Sequence, residues 1–237
     1  MRFLRLLATT LFLMALSGAV FANVASSGKP DAIILENNGE KELKKGNLEA
    51  ALRYFDAAIQ ANPRMWIAYY KRALVFERQR RWELVVRDTT TVLQGPKWLT
   101  QAGALRGVAN AELGRYRAAL ADFDKVIGFN IQDTASDRAL NGRAWLRATC
   151  PDPAFRNGLA ALQDAKRVAA VMKTPAAIDT LAAAFAEVGD FDSAVGCETL
   201  AIAAIKPSMR NADEERSTLE KRLASFKQHR PWRTTLK

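Results

Sequence analysis

The chain has 237 residues, with 35 Lys and Arg against 25 Asp and Glu, and a formal net charge of +10 at neutral pH. It contains one His and two Cys, and the spacing of the cysteines matches no metal-binding motif. The length is ample for one domain, and the basic balance suits nucleic acid, anionic lipid or an acidic protein as partner, or simply a solvated surface.

The first 22 residues have the three parts of a secretory signal peptide. Arg2 and Arg5 precede a short, mostly apolar run, and small residues follow up to Ala22. The run is short for a membrane span of about 20 residues, which favours cleavage near Ala22 over an uncleaved anchor. We therefore expect a periplasmic or secreted protein, and export argues against nucleic acid as the partner. Residues 23–31 are predicted to be a flexible leader.

A repeated pattern organises the chain after this leader. The stretch Gly46-Asn-Leu-Glu-Ala-Ala-Leu-Arg-Tyr-Phe55 returns as Gly114-Arg-Tyr-Arg-Ala-Ala-Leu-Ala-Asp-Phe123. The two glycines are 68 residues apart, or two steps of 34, and the intermediate step lands at Arg80. A period near 34 is typical of a helix-turn-helix solenoid. Small residues recur where two helices should cross closely, and Phe55 and Phe123 should fill the space beside those crossings.

This pattern resembles the tetratricopeptide repeat. The resemblance implies an all-α fold, a right-handed helix-turn-helix solenoid of about five repeats over residues 32–207. A capping helix is predicted over 208–228, because a solenoid leaves the apolar face of its last repeat wet unless a further helix covers it. Residues 229–237 are predicted to form a loose basic tail.

The fourth repeat is irregular and carries a more specific resemblance. Its two small crossing residues, Ala144 and Ala161, are 17 positions apart, against 12 for Gly107 and Ala119, so the turn between them holds five additional residues. The stretch Ala144-Trp-Leu-Arg-Ala-Thr-Cys-Pro-Asp, followed later by Asp179-Thr-Leu-Ala, is similar to a bacterial subclass of tetratricopeptide proteins. This resemblance concerns the fold and implies no catalytic activity.

Two expectations concern side chains in and near the inserted turn. Asp152 and Arg156 are expected to pair across it as structural support rather than as ligand contacts. Cys150, in the same turn, and Cys197, in the second helix of repeat five, leave three states open. They form a disulfide, remain two inert thiols, or include a reactive thiol, since pairing depends on a Cα separation that sequence does not give.

The resemblance also implies a concave groove lined by the first helix of each repeat. Aromatic and Arg side chains are enriched at binding hot spots, so we expect this groove to bind a protein or peptide. Tyr70 fits this role and a packing role equally, and for Trp145 packing is favoured. The predicted groove residues are Tyr70, Leu74, Arg78, Ala104, Val108, Arg138 and Asn141.

No arrangement of residues in the sequence indicates catalysis. There is no Gly-x-Ser-x-Gly elbow and no Gly-rich phosphate loop with its Lys, and His229 lies in the basic tail. We predict a non-catalytic exported scaffold without cofactor, metal, nucleic acid or small-molecule substrate. Two alternatives are a basic adaptor that contacts anionic lipid or wall polymer in the cell envelope, and a non-catalytic subunit of an enzyme complex.

Overall fold

A computed structural model describes residues 31–95, 99–131, 133–209 and 211–235. The predicted signal peptide over residues 1–22, its cleavage near Ala22 and nearly all of the leader lie outside these ranges. Within them the chain forms eleven α-helices and one short 3-10 helix, and no strand. No helix in the described ranges has the length and apolar character needed to cross a bilayer.

The helices follow one another with short connections. In chain order they are α1 (Ala32–Lys45), α2 (Leu48–Ala61), α3 (Trp66–Arg78), α4 (Trp82–Leu93), α5 (Thr100–Glu112), α6 (Tyr116–Gly128), α7 (Thr134–Thr149), α8 (Gly158–Val171), α9 (Pro175–Glu187), α10 (Phe191–Ala203) and α11 (Ala212–Lys227). The 3-10 helix, Pro153–Phe155, lies in the inserted turn of repeat four.

The chain divides into two compact units, one ending at Val75 and the other starting at Phe76, so the boundary falls within α3. In the first unit, α1 packs against α2. In the second, α5 pairs with α6, α7 with α8 and α9 with α10, while α7 also contacts α5 and α6, and α9 contacts α7 and α8. The last helix, α11, packs on α10 as the predicted cap. The predicted all-α solenoid of helix pairs is confirmed.

The first helix of each regular pair ends in a left-handed residue. Gly46, Gly114 and Gly189 have φ values of 84°, 72° and 85°, and Arg80 takes the same place with φ 56°. At Gly114, the N–H of the following residue donates to the carbonyl five residues back at 2.8 Å, and the Arg80 turn has the equivalent bond at 2.9 Å. Gly favours this capping turn because a Cβ is disfavoured in left-handed backbone. Arg80 is therefore a strained member of an otherwise regular set.

Replacing Arg80 by Gly should stabilise the protein. A left-handed L-residue costs about 1–2 kcal/mol, while the Arg80 side chain is 62% exposed and its ion pair with Glu112, at 3.3 Å, is a surface contact of small value. We expect Arg80→Gly to raise the free energy of unfolding by about 1 kcal/mol in urea denaturation, and Gly114→Ala to lower it by a similar amount. An Arg80→Gly protein no more stable than the wild type would show that the turn is not strained.

One aromatic ring joins the third and fourth repeats. Phe123 on α6 is fully buried. A Cβ built on Gly107 of α5 would lie 2.5 Å from Phe123 Cε1, and one built on Gly142 of α7 would lie 2.6 Å from Phe123 Cζ. The ring thus contacts the backbone of two helices, which requires glycine at both places. Phe55 and Gly39 make the corresponding contact in the first unit.

Buried ion pairs connect the two helices of repeats three and four. Arg106 of α5 forms a bidentate ion pair with Asp122 of α6, with Nε–Oδ2 and Nη2–Oδ1 distances of 2.9 and 2.6 Å. Arg143 of α7 holds Asp164 of α8 in the same way, with both distances 2.8 Å. Each Arg stands directly before the small crossing residue of its repeat, and each Asp stands three residues after the Ala of the second helix. The pairs therefore repeat with the helices.

Repeat five places apolar residues at these same positions, which explains one of the two cysteines. Leu181 stands before Ala182, and Cys197 stands three residues after Ala194. Both cysteines are free thiols, and Cys150 is buried in the cluster around Phe123 whereas Cys197 packs in a different cluster. Burial raises the pKa of both thiols, which opposes formation of the reactive thiolate. The possible disulfide is not formed in this structure, and the inert state fits these surroundings.

Candidate functional site

The second unit contains a cavity of about 400 Å³ between α7, α9 and α11. Two indole rings, hydroxyl groups, an amide and charged groups face it together, a mixture typical of sites that orient a ligand through a few polar contacts. A neighbouring cavity, also about 400 Å³, shares Asp179, Thr218 and Arg222 with it. The residues on which the site depends are Asn141, Trp145, Asp179, Thr180, Arg222 and Trp232.

Arg222 is the central charge of this cavity. Its Nη1 donates to Asp179 Oδ2 at 2.5 Å. Its guanidinium carbon lies 4.6 Å from the ring centroid of Trp145 and 5.6 Å from that of Trp232. A guanidinium over an indole face is attracted by the ring quadrupole, more strongly where water is excluded. The capping helix α11 thus supplies a cation that holds one carboxylate and two rings in place.

Glu198 lies behind this cluster as a neutral acid. Its side chain is fully buried on α10. Burial, and then the nearby charge of Asp179, raise the pKa of Glu198 to about 9, although Arg222 opposes the shift. Burial also raises the pKa of Asp179. At neutral pH Glu198 therefore keeps its proton, which lowers the cost of burying it beside the charge of Asp179.

This raised pKa predicts that stability falls as pH rises. The unfolded carboxyl loses its proton near its model value of 4.5, whereas the folded one keeps it up to about 9. Between these values the folded state binds more protons, so the free energy of unfolding falls by up to about 1.4 kcal/mol per pH unit. Glu198→Gln keeps the size and a donor but does not titrate. We expect its stability to vary less over this range and to exceed that of the wild type at pH 8.

Urea denaturation at several pH values between 5 and 9 tests this expectation. Glu220→Gln is a matched control, because Glu220 lies exposed on α11, and its profile should follow that of the wild type. Parallel profiles for the wild type and Glu198→Gln would mean that Glu198 is ionised in the folded protein.

The C-terminal segment 229–235 is docked at this cavity, so the prediction of a loose tail is wrong. The Thr234 N–H donates to the Thr149 carbonyl at 2.9 Å, and the two threonine hydroxyls are 2.8 Å apart. Arg233 Nη1 lies 2.6 Å from Glu187 Oε2 and donates to the Ala148 carbonyl at 3.2 Å. The segment binds because the last carbonyls of α7 lack partners within the helix, which sequence periodicity does not show.

The inserted turn of repeat four caps the same end of α7. The Asn157 N–H donates to the Arg147 carbonyl at 2.9 Å, and Arg156 Nη1 donates to the Cys150 carbonyl at 2.9 Å. Arg156 also pairs with Glu187, with Nε 3.3 Å from Oε1. Glu187 therefore joins the inserted turn to the C-terminal segment, and both segments complete the helix end.

Asp152 has a structural role, but not through the expected pair with Arg156. Instead of pairing with Arg156, its side chain accepts a hydrogen bond from the Ala154 N–H at 2.9 Å and caps the 3-10 helix. The expectation of a structural role stands, but the ionic partner of Arg156 is Glu187.

The predicted groove residues are distributed over both units. Tyr70 and Leu74 lie on α3 in the first unit, where both are half-buried. Arg78 is exposed at the end of α3, in the second unit. For these three residues, partner binding in the groove stays a prediction.

The other four predicted groove residues lie in the second unit with different surroundings. Ala104 is fully buried in the cluster around Phe123, so it is a packing residue and offers no surface to a partner. Val108 packs against the same cluster. Arg138 forms an ion pair with Glu77. Asn141 lines the cavity, and its Oδ1 is buried without a hydrogen-bond donor.

Sequence reasoning missed Asp179, Glu198, Arg222 and Trp232 as members of the site. One signal was present, since Glu198 stands where this repeat usually has an aromatic residue, and burying a carboxyl group in a helix core is costly. Asp179, whose charge helps to keep Glu198 protonated, lies on the first helix of the same repeat, and Arg222 comes from the cap. In the described part of the chain, no group of three His, Cys, Asp or Glu residues is placed to hold a metal ion.

Comparisons with known proteins agree with this fold. No model of a known protein family matches the chain. It is similar to human DnaJ homolog subfamily C member 3, with 35% identity over 101 residues, which are 43% of this chain but only 20% of that relative's length. A tetratricopeptide repeat protein from Parabacteroides merdae matches 90% of this chain and 79% of its own with a TM-score of 0.66 and 19% identity.

A second solved structure extends the comparison. YrrB, described as a tetratricopeptide repeat protein with an unusual peptide-binding site, matches 79% of this chain and 92% of its own with a TM-score of 0.54 and 18% identity. The chain is thus a tetratricopeptide-repeat protein in its fold. Its structural neighbours are repeat proteins, and no enzyme family is indicated.

Proposed function

We propose that this protein is a non-catalytic scaffold that binds an extended segment of another protein at the cavity between α7, α9 and α11. The observation that carries the proposal is the position of Asn141, whose Oδ1 is buried without a donor at a cavity edged by Trp145 and Thr180. An Asn side chain offers one acceptor and two donors, which matches the N–H and C=O of a peptide unit. The peptide-binding site named for YrrB supports this reading.

The chemistry of the cavity favours a segment with both apolar and polar groups. Trp145 supplies flat apolar surface, while Thr180 and Thr218 add hydroxyl groups. Trp and Arg are the side chains that most often carry binding energy at protein interfaces. An extended peptide meets both requirements, because successive side chains point to opposite sides of its backbone.

We further propose that the protein is exported after cleavage near Ala22 and belongs to the bacterial subclass that the stretch from Ala144 to Asp152 resembles. The charged, apolar and small-residue parts of the first 22 residues support this location. Its partner would then be a protein of the cell envelope.

Affinity capture from an envelope extract, followed by a peptide array of the captured protein, tests the binding proposal. We expect the wild type to retain a partner whose peptide array contains a binding segment. Asn141→Ala should weaken the affinity for that segment by about tenfold, as loss of a hydrogen-bonded contact would. Gln163→Ala, an exposed change on α8, is the matched control and should retain binding.

Equal binding by the wild type and the Asn141→Ala protein would contradict the proposal. The anionic-surface alternative predicts a different result. The wild type would bind anionic vesicles with an affinity that falls as salt rises, whatever residue stands at 141.

A further inference from the structure

The segment 229–235 contacts the helices as a bound peptide would. It leaves α11 through His229, a left-handed residue with φ 55°, whose ring stacks on Phe191 with 5.0 Å between centroids. The Arg230 N–H donates to the Ser225 carbonyl at 3.0 Å and closes the helix end. This turn brings the following residues back to the cavity instead of out to solvent.

Three consecutive side chains of this segment make different kinds of contact. Trp232 is half-buried against the apolar cluster that contains Phe226. Arg233 pairs with Glu187, a carboxylate whose side chain is 12% exposed. Thr234 then donates its N–H to the Thr149 carbonyl, and the two threonine hydroxyls form a second hydrogen bond. The segment therefore offers an aromatic ring to an apolar surface, then a cation to a carboxylate, and then a threonine to the end of a helix.

The same segment lines the cavity proposed to bind an outside peptide. Trp232, Thr234 and Thr235 face the cavity together with Asn141 and Trp145. An incoming peptide that used the indole surface and the end of α7 would therefore meet groups that the segment already occupies. The segment is held by few polar contacts, and the Arg233 side chain in its ion pair remains 35% exposed. Such contacts can open without unfolding the helices.

We propose that segment 229–235 is an internal competitor that occupies part of the binding site until an outside peptide with an aromatic–Arg–hydroxyl sequence displaces it. The competition with an outside peptide rests on the proposed function, but the docking of the segment is tested separately. A segment that is closed about nine-tenths of the time weakens outside binding about tenfold, because only the open fraction is competent.

The test uses the full chain and a fluorescein-labelled peptide with the sequence of residues 229–235 as the probe. Arg233→Glu in the chain places like charges together at Glu187 and should release the internal segment. We expect this variant to bind the probe about tenfold more tightly than the wild type in fluorescence anisotropy. Arg230→Glu makes the same charge change in an exposed residue of the segment and should bind as the wild type does.

A second variant guards against damage to the fold. Thr234→Pro removes the N–H that donates to Thr149, and it should also bind the probe more tightly. Circular dichroism and thermal melting establish that each variant is folded. A probe in which Glu replaces the arginine that corresponds to Arg233 should lose binding to both variants, since Glu187 then repels it.

Two results would overturn the inference. In the first, folded Arg233→Glu and Thr234→Pro proteins bind the probe no better than the wild type. In the second, Arg230→Glu gains as much as Arg233→Glu, which would indicate a general charge effect. Failure of the proposed function looks different, because released variants would then bind the probe while no envelope partner depends on Asn141.

Discussion

Asp164→Ala should lower the free energy of unfolding by about 3–5 kcal/mol, because it removes the one buried carboxylate that two largely buried arginines share. Asp164 is 5% exposed and accepts from Arg143 at 2.8 Å and from Arg147 at 3.1 Å. The two arginine side chains are only 15% and 23% exposed, so water cannot fully replace the lost carboxylate. Urea denaturation of the wild type and the variant gives the difference directly.

Two further variants separate burial from charge. Asp124→Ala removes the other ionic partner of Arg143. The Asp124 carboxylate lies 2.6 Å from the guanidinium but is 53% exposed, so its loss should lower the free energy of unfolding by less than about 1 kcal/mol. Arg143→Leu combined with Asp164→Ala imitates repeat five, where Leu181 holds the equivalent position. This double variant should cost less than the sum of its single changes. A small loss for Asp164→Ala alone would mean that solvent reaches the pair.

Phe123→Ala should also cost about 3–5 kcal/mol, because it empties the space between α5, α6 and α7. The ring is fully buried and contacts the backbone at Gly107 and Gly142. Its removal should also weaken the connection between repeats three and four. Thermal denaturation followed by circular dichroism measures the loss, and Leu159→Ala, at a residue that is 73% exposed, should change stability by no more than about 0.5 kcal/mol.

The glycines give an independent test of the same contact. Gly107→Ala should cost about 1–3 kcal/mol, because the added Cβ lies 2.5 Å from the ring and forces it to move. Combining Gly107→Ala with Phe123→Leu should recover part of that loss, since a smaller side chain makes room. If the double variant is as unstable as both changes added together, the ring is not what limits residue 107.

The repeat fold could be predicted because its causes are local and periodic. Gly46 and Gly114 occupy turns that require left-handed backbone, and Phe123 packs on Gly107 where two helices cross closely. Both kinds of residue recur at a fixed spacing in the sequence. The extra turn of repeat four was visible as a change in the distance from Ala144 to Ala161. These features depend on neighbours within one repeat or the next.

The binding cavity could be predicted only in part. Asn141 follows from the position it holds on the first helix of its repeat, whereas Ala104, placed by the same rule, is covered because α5 packs against both α6 and α7. The cluster of Asp179, Glu198 and Arg222 brings together two helices of repeat five and the cap. Nothing periodic connects Arg222 to the repeats, so its partner could not be read from spacing.

The docked segment was missed for a similar physical reason. A short basic stretch that contains Pro231 carries no helical period, and its exposed charges are typical of a solvated tail. Its binding depends on unpaired carbonyls at the end of α7 and on one acceptor, Glu187, contributed by α9. Only the three-dimensional positions of these groups show that Arg233 and Thr234 have partners.

The contact of one ring with two glycines also restricts how this chain can diverge among its homologues. A methyl group at residue 107 or 142 is compatible with the ring only after a shift of the backbone or a smaller side chain at 123. Alanine at either position should therefore accompany leucine or a smaller residue at 123, and the three sites should covary as a group across an alignment.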